Sequence, residues 1–182
     1  DSTRVQQRFM LDTPALRVDV DPQFQIYRRL SPLETAPALS KALGASRVLI
    51  VTPAGGEAQY AGLVQAWRAD GVEVVADNQL EQLPADKAVW LLGAGNKFAP
   101  LVDAALKPWG AAFDAKGLHT ADETFAAGNR SFVVGVRHPG NPASVVILVS
   151  APSAAASAAL ARKLPHYGKY SWLVFAGDDA TN

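Results

Sequence analysis

The sequence has no cysteine and a single methionine in its 182 residues. The first absence excludes a disulfide framework, a zinc ribbon and a thiol nucleophile, and it leaves the redox compartment open. Neither charge is in excess: 17 Lys+Arg against 17 Asp+Glu give a formal net charge of +0. That balance argues against a nucleic-acid partner and against an anionic membrane surface. No apolar run approaches the roughly 18–20 residues of a membrane span, and no signal-peptide pattern opens the chain. What is present suffices for one full-sized domain, because a chain of this length buries roughly 70% of its unfolded surface. The opening at Asp1 and the ending Asp178-Asp179-Ala180-Thr181-Asn182 give the expectation of a piece of a larger protein.

The first thirty residues differ in rhythm from the rest. Leu16, Val18 and Val20 alternate with Arg17, Asp19 and Asp21, and Phe24 and Ile26 alternate with Gln25 and Tyr27. Period two is the pattern of half-buried strands, and Pro22 suits a turn between them. The reading for 1–30 is a short β meander, either the tail of a β-sandwich-like domain or a docking β hairpin. Three strands are too few to make a core of their own.

From Ser31 the texture is α/β. Ser31-Pro32-Leu33-Glu34 has the form of a capped helix start, and a short helix is expected from about Ala38 to Leu43. Arg47–Thr52, Val72–Val75, Ala88–Leu92, Phe132–Val136, Val145–Val149 and Ser171–Phe175 are apolar runs rich in branched residues, the signature of strands buried on both faces. Tyr60, Leu63, Val64 and Trp67 mark one helical face, and Phe98, Leu101, Val102 and Ala105 another. Ser153–Lys163 reads as an Ala-rich helix capped by its serine. His138-Pro139-Gly140-Asn141-Pro142 is too short for a parallel crossover, so its flanking strands are expected to be antiparallel. Pro108–Arg130 reads as loop and small hairpin. The fold class is therefore α/β: a three-layer αβα domain over 31–177, with a mostly parallel sheet of five or six strands including one antiparallel pair. Residues 178–182 read as a linker stub.

Chemical signals are sparse. Gly55 and Gly56 follow a strand and open a helix, as do Gly95, Asn96 and Lys97; both groups should lie on the carboxyl edge of the sheet, where open α/β sheets bind ligands. They are the candidate donors for a small anion, although the P-loop lysine and the three-glycine dinucleotide pattern are missing. The bland alternatives are a tight turn and a helix cap at Asn96. His119, His138 and His166 have no metal-ligand spacing, and no Gly-x-Ser-x-Gly elbow occurs. Asn129-Arg130-Ser131 matches a glycosylation acceptor by pattern alone. The densest cluster is Pro165, His166, Tyr167, Gly168, Lys169 and Tyr170, expected at the amino edge in a structural or interface role.

Two stretches carry a resemblance. Val18-Asp19-Val20-Asp21-Pro22-Gln23-Phe24-Gln25-Ile26-Tyr27-Arg28-Arg29-Leu30 resembles the segment D-P-x-F-x-x-F-R-R-L with which the β-sandwich of bacterial zinc aminopeptidase-like proteins of the M1 (gluzincin) family leads into an extra α/β domain; Tyr27 stands at the second aromatic position. Pro165-His166-Tyr167-Gly168-Lys169-Tyr170-Ser171, and Arg137-His138-Pro139-Gly140-Asn141-Pro142, are similar to motifs of that extra domain. The resemblance implies a parent metallopeptidase holding zinc through a His-Glu-x-x-His helix. No such motif occurs in this chain, so no catalytic or metal-binding residue is carried over. The expectation is a noncatalytic accessory or interaction domain without a cofactor of its own, whose partners are other domains of the parent chain. The alternative is a small anionic-ligand module using Gly55, Gly56, Gly95, Asn96 and Lys97.

Overall fold

The structure, a computed structural model, describes residues 6–15, 18–19, 21–23 and 25–181. The chain divides into two compact units, Asp1–Leu30 and Ser31–Asn182.

In the first unit, the turn expected at Asp21-Pro22-Gln23 is present. Asp21 adopts a left-handed φ of 54°, and its carboxylate accepts the Gln25 N–H at 2.8 Å and the Ile26 N–H at 2.9 Å. Among the described residues of this unit there is no strand; the expected meander falls largely on Leu16, Arg17, Val20 and Phe24. Phe9, Met10, Val18 and Ile26 are exposed. Leu16, Val20 and Phe24 lie outside the described residues.

The second unit is built on a six-stranded sheet. Its chain order is α1 (Ser40–Leu43), β1 (Val48–Thr52), α2 (Glu57–Ala66), β2 (Val72–Ala76), β3 (Ala88–Leu92), α3 (Ala99–Leu106), β4 (Ala112–Asp114), β5 (Gly117–His119), β6 (Thr124–Ala126), β7 (Arg130–His138), β8 (Asn141–Ser150), α4 (Ala154–Lys163) and β9 (Trp172–Ala176). The strand order is β2-β1-β3-β8-β7-β9. The first four are parallel, and β7 runs antiparallel to β8, as the short 138–142 link requires, and also to β9.

The central strands are buried on both faces, and their alternation divides the core in two. Val48, Ile50, Trp90, Ile147 and Val149 pack with Leu39, Tyr60, Leu63 and Leu160, so α1, α2 and α4 cover one face. Leu49, Val51, Val89, Leu91 and Leu148 pack with Phe98, Val102, Leu106, Phe113 and Leu118, so the other face is covered by α3 and by a separate sheet β4-β5-β6. That small sheet occupies the stretch expected as loop and hairpin. Gly117 makes it possible: at φ 133° a Cβ there would lie 2.0 Å from the Phe125 carbonyl oxygen. The capping box at Ser31 forms as expected, but around a 3-10 turn, Pro32–Glu34.

Of the expected linker stub at 178–182, residues 178–181 are folded back on the domain, and Asn182 lies outside the described residues. Ala180 is buried, its carbonyl accepts the Lys163 ammonium, Asp178 accepts the Ser153 hydroxyl, and Thr181 bridges Ala176. The acidic pair Asp178-Asp179 is itself exposed to solvent; what the sequence did not announce is the set of partners from α4 and β9.

Candidate functional site

The strand order places the topological switch between β1 and β3: the chain leaves β1 for β2 on one side and leaves β3 for the opposite side. In open α/β sheets the ligand crevice forms there, outside the carboxyl ends of the strands. Both sequence-predicted donor groups do converge on this point, the 53–56 loop after β1 and the 93–98 loop after β3.

The crevice is filled by the protein itself. Asp77, at the end of β2 and 6% exposed, accepts the Ala54 N–H at 3.0 Å and the Lys97 N–H at 2.8 Å. An aspartate carboxylate thus stands where an anionic ligand would take those donors. Asn96, 3% exposed, donates to the Val51 carbonyl at 3.0 Å and the Leu92 carbonyl at 3.2 Å, tying the ends of β1 and β3 together. Its Oδ1 accepts the Phe98 N–H at 3.1 Å, a turn just ahead of α3, whose N-cap is Phe98 and not Asn96 as weighed from the sequence. The Lys97 ammonium donates to the Leu80 carbonyl at 2.7 Å, and the Gly55 N–H donates to Glu57 at 3.1 Å. Gly95 borders open space and Gly56 packs on Pro53. At the end of β8, the Ala151 N–H donates to the Tyr60 hydroxyl at 3.3 Å and its carbonyl accepts the Gln59 side chain. Burial pushes the Tyr60 hydroxyl pKa up. Of the residues that close this edge, Asp77 was missed, and Glu-Val-Val-Ala-Asp carries no motif that would have found it.

The histidines are dispersed in role. His138 is 2% exposed; its Nδ1 accepts the Gly140 N–H at 3.0 Å, and burial pulls its pKa down, opposed by the Pro84 backbone. His119 lies on the small sheet, 3.4 Å from Asp114 and 3.4 Å from Thr124. The Lys116 N–H, first, and His119, after it, hold the Asp114 carboxyl below its usual range. His166 is exposed. Among the described residues there is no group of three or more His, Cys, Asp or Glu able to hold a metal ion. The zinc implied for the parent therefore has no fitting donor set here, and no step is derived through it.

The Pro165–Tyr170 cluster lies at the amino edge, as read from the sequence, and its roles divide. Gly168 and Tyr170 offer their carbonyls to the Ser40 N–H at 2.8 Å and the Leu39 N–H at 2.9 Å, satisfying the first donors of α1. Tyr167 is half-buried, edge-on to Phe175 at 5.4 Å. Tyr170 is 41% exposed, with the Lys169 ammonium over its ring at 4.9 Å. Pro165, His166 and Lys169 are exposed. Bracing thus fits Tyr167 and not Tyr170.

Next to this cluster the sequence reading missed a cavity of about 430 Å³. Pro37, Leu106, Trp109, Gly135, Arg137 and Trp172 line it. The Arg137 guanidinium donates to the carbonyls of Pro32, Leu33 and Thr35, fastening that segment across β7. Gly135 permits the close passage: a Cβ there would lie 2.6 Å from the Pro37 carbonyl oxygen. Trp109 and Leu33 remain 68% and 67% exposed at the rim. No helix among the described residues is long and apolar enough to cross a membrane. No protein-family model matches this chain, and no curated protein aligns with it.

Proposed function

We propose that this chain is a noncatalytic accessory domain that docks on protein, and, from the resemblance of its two end motifs, that the body it serves is a zinc aminopeptidase-like protein of the M1 group. The finer architecture in this reading is a three-layer αβα module. One observation carries the proposal: the switch-point crevice is occupied by Asp77 and Asn96, whose bonds to the ends of β1 and β3 and to the Ala54 and Lys97 amides make it a structural joint. Those two amides are no longer free for an anion, which removes the support for the anionic-ligand alternative. Exposed apolar side chains sit at the other end of the sheet, at Leu33, Leu43, Trp109 and Tyr170. Patches of that kind mark interaction surfaces.

The purified chain is assayed against aminoacyl chromogenic substrates with and without zinc, and screened by thermal shift against nucleotides, phosphosugars and amino acids. The expected result is no turnover and no shift. Zinc-dependent turnover abolished by changing a histidine overturns the reading, as does a ligand that stabilises by the ~2.7 kcal/mol expected at 100 times its Kd.

A further inference from the structure

Residues 177–181 act on the sheet in a way that the interaction reading leaves out. β9 is the last strand of the sheet. Its sequence, Trp-Leu-Val-Phe-Ala, holds no charge and no proline, the usual means of blunting an edge. The Gly135 N–H donates to the Ser171 carbonyl at 2.7 Å, the Gly177 N–H donates to the Asn129 carbonyl at 2.9 Å, and Val133 stands opposite Leu173. In an antiparallel ladder the bonded residues alternate. Odd-numbered residues of β9 therefore turn their backbone groups toward β7, and Trp172, Val174 and Ala176 turn theirs outward. Such an edge is complementary to itself. A β9 from a second copy, laid antiparallel about Val174, would set Val174 opposite Val174, Trp172 opposite Ala176 and Ala176 opposite Trp172, each a bonded pair.

The chain's own tail stands in the way. It reverses at Gly177, φ 69°, and returns to the edge, where Thr181 exchanges hydrogen bonds of 2.7 and 2.9 Å with Ala176. With Ala176 taken, only the Val174 pair of that register survives. A pairing centred on Leu173 would bring Tyr170 opposite Ala176, where Thr181 already sits. The Tyr170 N–H and carbonyl are in any case bonded to Tyr167 and Leu39. The tail is anchored away from the edge. Ala180 is buried in the core on the α4 face, its carbonyl accepts the Lys163 ammonium at 2.7 Å, and Asp178 accepts the Ser153 hydroxyl. Ala180 holds a left-handed φ of 50°, which is costly for a residue with a Cβ and persists only where its surroundings enforce it. Asp178 and Asp179 remain exposed at the end of the strand, and charge at an edge discourages pairing.

We propose that residues 177–181 are an intramolecular guard of the β9 edge: a strained return, held by α4, that denies Ala176 to a second copy of this chain and keeps two sheets from pairing edge to edge. The guard works by competition. Thr181 is tethered five residues from Ala176, so it occupies the site ahead of any strand that must arrive by diffusion. Release of the anchors on α4 hands the same backbone groups to a second β9.

The test compares the unsubstituted chain with two variants that release the tail without touching β9. Ala180→Glu puts a carboxylate where a methyl is buried and expels the tail. Lys163→Met with Asp178→Ala removes two anchors and leaves the core as it is, so it carries the test should Ala180→Glu fail to fold. In both, the Ala176 amide is expected to exchange at least about tenfold faster, as loss of a backbone bond requires. Sedimentation should show self-association at least about tenfold tighter than that of the unsubstituted chain, with the Trp172 and Val174 amides gaining protection as protein concentration rises. Val174→Pro removes an outward donor only, which an edge strand tolerates, and added to either variant it should abolish the association. A released Ala176 amide in a chain that associates no more than the unsubstituted one overturns the proposal. So does association that survives Val174→Pro, which would place the interface elsewhere. An Ala176 amide equally protected in both variants overturns it as well, because the anchors on α4 would then not hold the tail.

Discussion

The two ends of the sheet solve opposite problems. At the carboxyl end, loops after β1, β2, β3 and β8 converge, and nearly every polar group there is bonded inward: Asp77 to two amides, Asn96 to two carbonyls, Tyr60 and Gln59 to Ala151. At the amino end the chain is strapped by Arg137 and by the carbonyls of the 168–170 loop, yet the side chains around those straps face outward, leaving a cavity and an exposed tryptophan. A fold whose usual ligand edge is a joint, and whose opposite edge carries exposed apolar side chains, is the basis for proposing an interaction surface at the amino end. Buried polar networks that are fully satisfied fix a unique arrangement; partly covered apolar surface is what a partner covers.

The sharpest way to break this comparison is at the joint. Asp77→Ala removes two bonds to a charged acceptor and strands two amides, so a loss of about 3 kcal/mol is expected. For a chain of this size that is a fall in melting temperature of about 6–12 °C. Asn96→Ala should cost about 2 kcal/mol by the same reasoning. If either variant instead keeps its stability and gains binding of inorganic phosphate, the carboxyl edge is a ligand site after all.

At the amino end the tyrosines should separate. Tyr167→Ala is expected to cost about 2 kcal/mol, less than a fully buried ring because Tyr167 is half-buried against Phe175. Tyr170→Ala should cost under about 1 kcal/mol, since its backbone carbonyl, which caps α1, is untouched by the substitution. Equal losses in a denaturant series would show that Tyr170 also braces the last strand.

How far these roles were readable follows from where their partners lie. The strands, the antiparallel turn and the Ser153 cap depend on local pattern and are present, although β7 and β8 run past the expected Phe132–Val136 and Val145–Val149 and shrink the turn to Pro139-Gly140. Asn96 was readable as a polar side chain opening the α3 segment, but its place as a tie between β1 and β3 was not, because that needs a strand order that composition does not encode. Asp77 is worse placed, with partners 23 and 20 residues away. The three-residue strands of β4-β5-β6 are too short to show a period. The meander expected for 1–30 rested on period alone, which states only which residues could share a face, and Leu16, Arg17, Val20 and Phe24, which carry much of that period, lie outside the described residues.

A smaller effect than the tyrosine losses is expected from acid. His138 binds a proton less readily in the folded chain, because burial disfavours the imidazolium. The unfolded chain, titrating near pH 6.5, then holds more protons, so stability should be flat above about pH 7 and decline as pH falls below about 6.5. The decline ends once the folded imidazole itself protonates. Unfolding midpoints measured from pH 8 to pH 5 check this, and His138→Gln should flatten the part of the slope that this residue contributes. An unchanged slope in that variant would place the acid sensitivity elsewhere, in groups such as Asp114, whose depressed pKa loses its stabilising effect only at lower pH.

The smallest expected effect is at Trp109. Its ring is 68% exposed, and surface truncations away from caps and packed rings usually fall within about 0.5 kcal/mol. Trp109→Ala should therefore leave the unfolding midpoint of the isolated chain almost where it was. That near-silence is informative only beside the joint: a tryptophan whose loss costs the fold nothing, set against an aspartate whose loss costs it about 3 kcal/mol, separates surface kept for a partner from surface kept for the chain. A stability loss above about 1.5 kcal/mol at Trp109 would mean that its ring closes the cavity from within, and that the amino end is as self-contained as the carboxyl end.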